Sequence, residues 1–183
     1  MRNESELFLS VDIESSGPAP SVYSMLALGA CNTEDLTQTF YVEFKPTSKL
    51  FVPEALEACK LSLEVLEETG TDPAIGMANF EKWIKEVSRN KHPIMDGFDA
   101  PFDWMFVCDY FWRFLDRNPL GISARDIKSY YAGKFDTDWR STSKSRIDKR
   151  FIPKAPHTHN ALDDAIEQAI LMNSIIDFPG HTL

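Results

Sequence analysis

A chain of 183 residues with 43% hydrophobic and 12% aromatic side chains can bury one packed core, and residues 1–183 read as a single domain. A net charge of −9 argues against a sequence-reading DNA binder, which usually shows a basic face, but not against an enzyme that grips a few nucleotides through metal ions. No apolar run approaches the ~18 residues of a membrane span, Glu4 and Glu6 stand where an export signal would be basic, and Cys31, Cys59 and Cys108 lack Cys-x-x-Cys spacing, so a cytoplasmic protein with reduced thiols is expected.

Residues 6–14 read as a first strand, broken by Gly17, Pro18 and Pro20. Residues 22–31, with the run MLALGA, and residues 37–44, with alternating Phe40, Val42 and Phe44, read as a second and third strand. Short connections between the three predict an antiparallel meander. Helical spacing follows over 53–68 and again from Pro73, which sits near the first position of its helix. Residues 92–97 read as a fourth strand and 101–117 as an aromatic-rich helix. Residues 122–127 read as a weak fifth strand, 128–132 as a helix, 133–157 as a long loop and 161–176 as the last helix. This order predicts an α/β fold.

Three segments carry chemistry. In VDIESSG, Asp12 and Glu14 are two apart on a strand, so both carboxylates share one face. Alone, the pair reads as an exposed strand end, because two close carboxylates repel unless a cation lies between them. In FDAPFDWMF, Asp99 is a natural N-cap and Asp103 falls in the first turn of its helix, where the dipole favours acids. In HTHNALDDAIEQA, His159 stands at a helix entrance, followed by Asp163 and Asp164. Capping alone accounts for each segment separately. Brought together, the carboxylates offer hard oxygen ligands suited to Mg2+ or Mn2+. Two such ions can clamp a phosphodiester while a histidine takes the proton of the attacking water.

The order Asp-x-Glu, Phe-Asp-x-x-Phe, His-x-Ala-Leu-x-Asp resembles the DEDDh group of the DnaQ-like 3′-to-5′ exonucleases, which includes ribonuclease T and oligoribonuclease. The resemblance runs from Phe8 to Ile176, and MLALGA matches the family's second strand. It implies a ribonuclease-H-like fold, a five-stranded mixed sheet flanked by helices. It implies two divalent metal ions, Mg2+ or Mn2+, on Asp12, Glu14, Asp103 and Asp164, with His159 as general base. The family's five-residue interval from His159 selects Asp164 over Asp163. It implies release of nucleoside 5′-monophosphates from single-stranded RNA or DNA 3′ ends, with RNA or short oligonucleotides favoured by chain size, and a possible homodimer. Asp99 departs from the Asn that members often carry there, and Ala27 from an acid often found in the second strand. An endonuclease or other two-metal phosphoryl hydrolase on the same fold and a non-catalytic nucleic-acid or protein interaction module are the alternatives; blocking the 3′ end separates the first, binding without turnover the second.

Substrate contacts are expected from Ser15, Ser16 and Gly17 near the terminal ribose. Most of Phe102, Trp104, Phe106, Tyr110, Phe111, Trp112 and Phe114 should pack in the core, with Phe106 or Trp104 stacking on bases. Between residues 140 and 154, Arg140, Lys144, Arg146, Lys149, Arg150 and Lys154 face Asp148 alone. Arg146, Lys149 and Arg150 are expected to hold phosphates from a mobile lid leading to His159. His157 reads as a neighbour without a role, and His92 and His181 as structural or exposed.

Overall fold

The computed structural model describes residues 5–153 and 159–180. Lys154, His157 and His181 lie outside the described residues. The strands are β1 (Glu6–Ser15), β2 (Met25–Asn32), β3 (Asp35–Glu43), β4 (His92–Gly97) and β5 (Ala124–Asp126). They form one sheet in the order β3-β2-β1-β4-β5. β1–β2 and β2–β3 pair antiparallel, the meander expected, while β1–β4 and β4–β5 pair parallel. The helices are α1 (Pro53–Cys59), α2 (Leu63–Thr69), α3 (Pro73–Ser88), α4 (Ala100–Leu115), α5 (Ile127–Phe135) and α6 (Ala161–Asp177), with a 3-10 turn at Trp139–Thr142.

The period of two along β1 sorts its residues. Leu7, Leu9, Val11 and Ile13 join Met77, Phe80 and Ile84 of α3 and Phe106, Val107, Tyr110 and Phe111 of α4 in the main core. The alternate positions, Ser10, Asp12 and Glu14, face the other side of the sheet. There α6 lies on β2 at very short range. A Cβ on Gly29 would stand 2.2 Å from the Ala161 carbonyl carbon, and Cys31 Sγ meets the Ala165 carbonyl oxygen at 3.5 Å. Ala161, Ala165 and Ala169 are fully buried, so small residues on both elements permit the approach. Among the described residues no helix is long and apolar enough to cross a membrane.

Two local expectations change. The helix over 53–68 is two helices: Lys60 adopts a left-handed backbone (φ 58°), and the Ser62 hydroxyl accepts the Val65 N–H to start α2. Of the loop expected over 133–157, the described part, through residue 153, is not free. α5 continues to Phe135 because Tyr131 and Phe135 pack with Ile147, Phe151, Leu171, Met172 and Ile175 in a second core. The basic stretch is thus anchored at Ile147 and Phe151, and Lys144 pairs with Glu167 of α6 at 2.9 Å. Through residue 153 it is a docked segment rather than a mobile lid.

Candidate active site

β1 outruns β4: their pairing ends at Ser10–Asp96, so the strand end bearing Asp12 and Glu14 projects beyond its parallel neighbour. A bulge between Glu14 and Ser15 ends the regular register with β2. The open flank is closed by α4, whose Asp103 accepts the Ile13 N–H at 3.2 Å. One oxygen of Asp103 is thereby fixed against the peptide between the two β1 acids. From the other face α6 brings Asp164, and carboxylate oxygens of Asp12, Glu14 and Asp164 lie within 4.8 Å of one another. Asp103 and Asp164 are each only 4% exposed.

This crowding has an electrostatic signature. Burial, then the charges of Asp103, Asp164 and Glu14, push the Asp12 carboxyl well above the usual carboxylate range. Burial and Asp164 push Glu14 up to about 7. Asp103 is also raised, mainly by burial, with the Ile13 N–H working against it. Oxygen-only donors that repel one another in a desolvated corner fit a hard divalent cation, which removes both penalties at once.

The helix entrances are specialised. Asp99 precedes α4 with φ 65° and makes no side-chain cap. Its expected capping role passes to Asp126, whose carboxylate accepts the Ala100 N–H at 3.0 Å and the Ser129 N–H at 2.8 Å. Asp99 instead pairs with Lys128 at 3.2 Å, which balances the extra charge. His159, exposed and with φ 53°, precedes Asn160, whose side chain caps α6 through the Leu162 and Asp163 N–H groups. Asp and His are among the residue types that tolerate such a left-handed backbone.

The expected substrate contacts fare unevenly. Phe106 is fully buried in the main core, so its ring is closed to a base; the aromatic spacing did not show which side of α4 faces inward. Trp104 also packs against that core. The exposed ring next to Asp103 is Phe102, 38% accessible and 5.4 Å from Phe106. Ser16 is buried, and its hydroxyl donates to the Leu50 carbonyl (2.9 Å) and accepts the Ser24 N–H (3.0 Å). The Ser15 hydroxyl donates to the Gly17 carbonyl, and a Cβ on Gly17 would strike the Tyr23 ring at 2.5 Å. The hydroxyls of Ser15 and Ser16 are thus engaged within the turn after β1, which Gly17 lets pack on Tyr23. Arg146, Lys149 and Arg150 are all exposed, and Arg150 also holds Asp148 through two nitrogens and lies 5.1 Å from the Phe178 ring centroid.

Two groups escaped the sequence. Lys128 lies 4.7 Å from the exposed Trp139 ring, and Lys144 lies 5.5 Å from Phe98, forming a cationic and aromatic rim where β4 meets α4. Gln168, 2% exposed, donates to Asp12 and accepts the Phe98 N–H at 2.8 Å. Its signal was its place one helical turn after Asp164, on the same face.

No family model matches the chain. Over 176 residues the chain is 44% identical to the 3′-5′ DNA exonuclease Cap18 of Escherichia coli, a match covering 96% of this chain and 94% of that relative. The chain belongs to the DEDDh 3′-to-5′ exonucleases. The ribonuclease-H-like fold agrees with solved structures of such enzymes. The nuclease domain of 3′hExo, a DEDDh member bound to rAMP, superposes with a TM-score of 0.76 at 12% identity, over 97% of this chain and 95% of that one. Exonuclease I of E. coli, in complex with a dT13 oligonucleotide, gives 0.69 at 17% identity over 93% of this chain. The DEDDh chain described here spans only 41% of exonuclease I. DEDDh membership implies use of divalent metal, in keeping with the acidic cluster.

Proposed function

We propose that this exonuclease removes nucleoside 5′-monophosphates from the 3′ end of single-stranded DNA, with Asp12, Glu14, Asp103 and Asp164 holding two divalent ions, Mg2+ or Mn2+, and His159 as general base. The observation that carries the reading is the convergence of Asp12, Glu14 and Asp164 from two distant elements, their oxygens within 4.8 Å of one another. Cations bound there supply the Lewis acidity that makes a water nucleophilic and neutralises charge on the phosphate and the leaving oxygen. His159, on the exposed turn before α6, accepts the water's proton and passes it to solvent. The P–O3′ bond breaks as the water oxygen bonds to phosphorus, and the departing 3′ oxygen takes a proton from solvent.

DNA replaces the RNA preference that chain size suggested, because the relative at 44% identity is a DNA exonuclease. Phe102, Trp139, Arg146 and Lys149 are exposed aromatic and basic groups suited to a single strand, and the largely buried Lys128 backs the Trp139 ring. Free thiols at Cys31, Cys59 and Cys108 suit the cytoplasm, and the reading keeps the homodimer implied by the resemblance, checked by light scattering. The test of substrate is digestion of 5′-labelled DNA and RNA oligomers of matched sequence with Mg2+ or Mn2+. Faster shortening of DNA supports the proposal; faster shortening of RNA overturns its choice of sugar.

A further inference from the structure

Gln168 occupies a position on α6 where an apolar residue would pack, between the buried Ala165 and Met172, and is itself 2% exposed. A carboxamide in such a place is costly unless both its ends are bonded. Here they are, and the bonds fix which end goes where. The Phe98 N–H can only donate, so it takes the amide oxygen, at 2.8 Å. The amide nitrogen then points at Asp12 Oδ1 and donates to it. A flipped amide would set donor against donor and acceptor against acceptor.

The three partners come from three different motifs. Asp12 is on β1, Phe98 opens the turn that leads through Asp99 into α4 and Asp103, and Gln168 stands one turn after Asp164. One buried side chain therefore ties together the three segments that carry the acids. It also bonds Asp12 Oδ1 and so restrains the plane of that carboxylate. We propose that Gln168 is a positioning residue: its amide orients the Asp12 carboxylate toward the bound cation and locks the Phe98 turn to α6. Bonds of this kind to a ligating carboxylate typically govern metal affinity or activity by about 10–100-fold. The proposal rests on the metal-binding reading given above.

The test is Mn2+ binding to the DNA-free protein, measured by electron paramagnetic resonance, alongside kcat and KM on 5′-labelled single-stranded DNA. Gln168→Met keeps the side chain's length and bulk without its hydrogen bonds. It should bind Mn2+ about 10–100-fold more weakly and lose kcat at saturating metal, while KM for DNA stays within about twofold. If that variant does not fold, Gln168→Asn replaces it, its shorter amide being unable to span both partners. Wild-type Mn2+ affinity and kcat in the folded variant, with binding lost in Asp12→Asn, would overturn the role of Gln168 alone. Failure of the wild-type protein to bind Mn2+, or undiminished binding by Asp12→Asn, overturns the metal reading and this proposal with it.

Discussion

Gly29 stands directly opposite Asp12 in the β1–β2 ladder, and the main chain of Ala161 and Leu162 fills the space that a Gly29 side chain would need. Directly paired residues face the same side of a sheet, so Asp12 and the first turn of α6 share one face. The missing side chain is what lets Asp164 come within reach of Asp12 and Glu14. Gly29→Ala should lift the start of α6, cost about 1–3 kcal/mol of stability and lower exonuclease activity by about two orders of magnitude, the penalty of a ~1 Å misplacement. Thermal unfolding and a rate assay on single-stranded DNA check both; wild-type activity in this variant would refute the close-packing account.

Stability without metal should fall as pH rises. Glu14 ordinarily titrates near 4.5 and is held at about 7 in the folded protein. Between those values the native state binds the proton that the unfolded chain has released, so each rise in pH favours unfolding. Asp12 and Asp103, also raised, act in the same direction. Allowing for the partial exposure of Glu14, its share is of order 1–3 kcal/mol. Calorimetry in a chelator should show the unfolding temperature dropping from pH 5 to pH 8, with a shallower drop in Glu14→Gln. Mn2+ should restore more at pH 8 than at pH 5. Identical pH slopes in wild type and Glu14→Gln would count against the crowded-carboxylate account.

Neighbouring aromatics on α4 should separate cleanly. Phe106→Ala opens a cavity in the main core and should destabilise by about 3–5 kcal/mol. Phe102→Ala should leave the unfolding temperature nearly unchanged but weaken binding of single-stranded DNA by about 1–3 kcal/mol if its ring stacks on a base. Unfolding and binding isotherms on the two variants decide it, and an undiminished affinity in Phe102→Ala removes that ring from the substrate surface.

The acids were legible through the order and spacing of their three motifs, which resemble the DEDDh pattern; each local signal alone read as a strand end or a helix cap. A two-residue spacing puts Asp12 and Glu14 on one strand face, and Asp103 and Asp164 sit at recognisable helix starts. What lay hidden depends on partners distant in sequence. Nothing near Gly29 reports that α6 will pass over it. Gln168 looks like an ordinary helix former until Asp12 and Phe98 are placed beside it. Aromatic density over 101–117 marked a buried helix but not its inward side, hence the exchange of Phe106 for Phe102. The lack of periodicity over 133–157 hid the described part of that segment, whose apolar anchors Phe135, Ile147 and Phe151 are too widely spaced to make a pattern.

A buried ion pair outside the carboxylate cluster should matter for folding. Arg125 holds the fully buried Asp96 through two nitrogens, at 3.0 and 2.7 Å, and lies 3.5 Å from the Phe8 ring. Arg125→Met leaves Asp96 without its cation and should cost about 3–5 kcal/mol. Asp96→Asn in the same background should recover part of that loss. Urea unfolding of the single and double variants measures the coupling, and additive losses would contradict it.

The central claim is that the converging carboxylates and His159 cleave from a 3′ end with metal. Its most direct test follows a 5′-labelled single-stranded DNA, with its 3′ end free or blocked, incubated with Mg2+ or Mn2+ and the wild-type, Asp12→Ala or His159→Ala protein. The account predicts stepwise shortening of the free-ended strand by the wild type only, none without metal and none when the end is blocked. Internal cleavage of the blocked strand, or full activity in either variant, would contradict it.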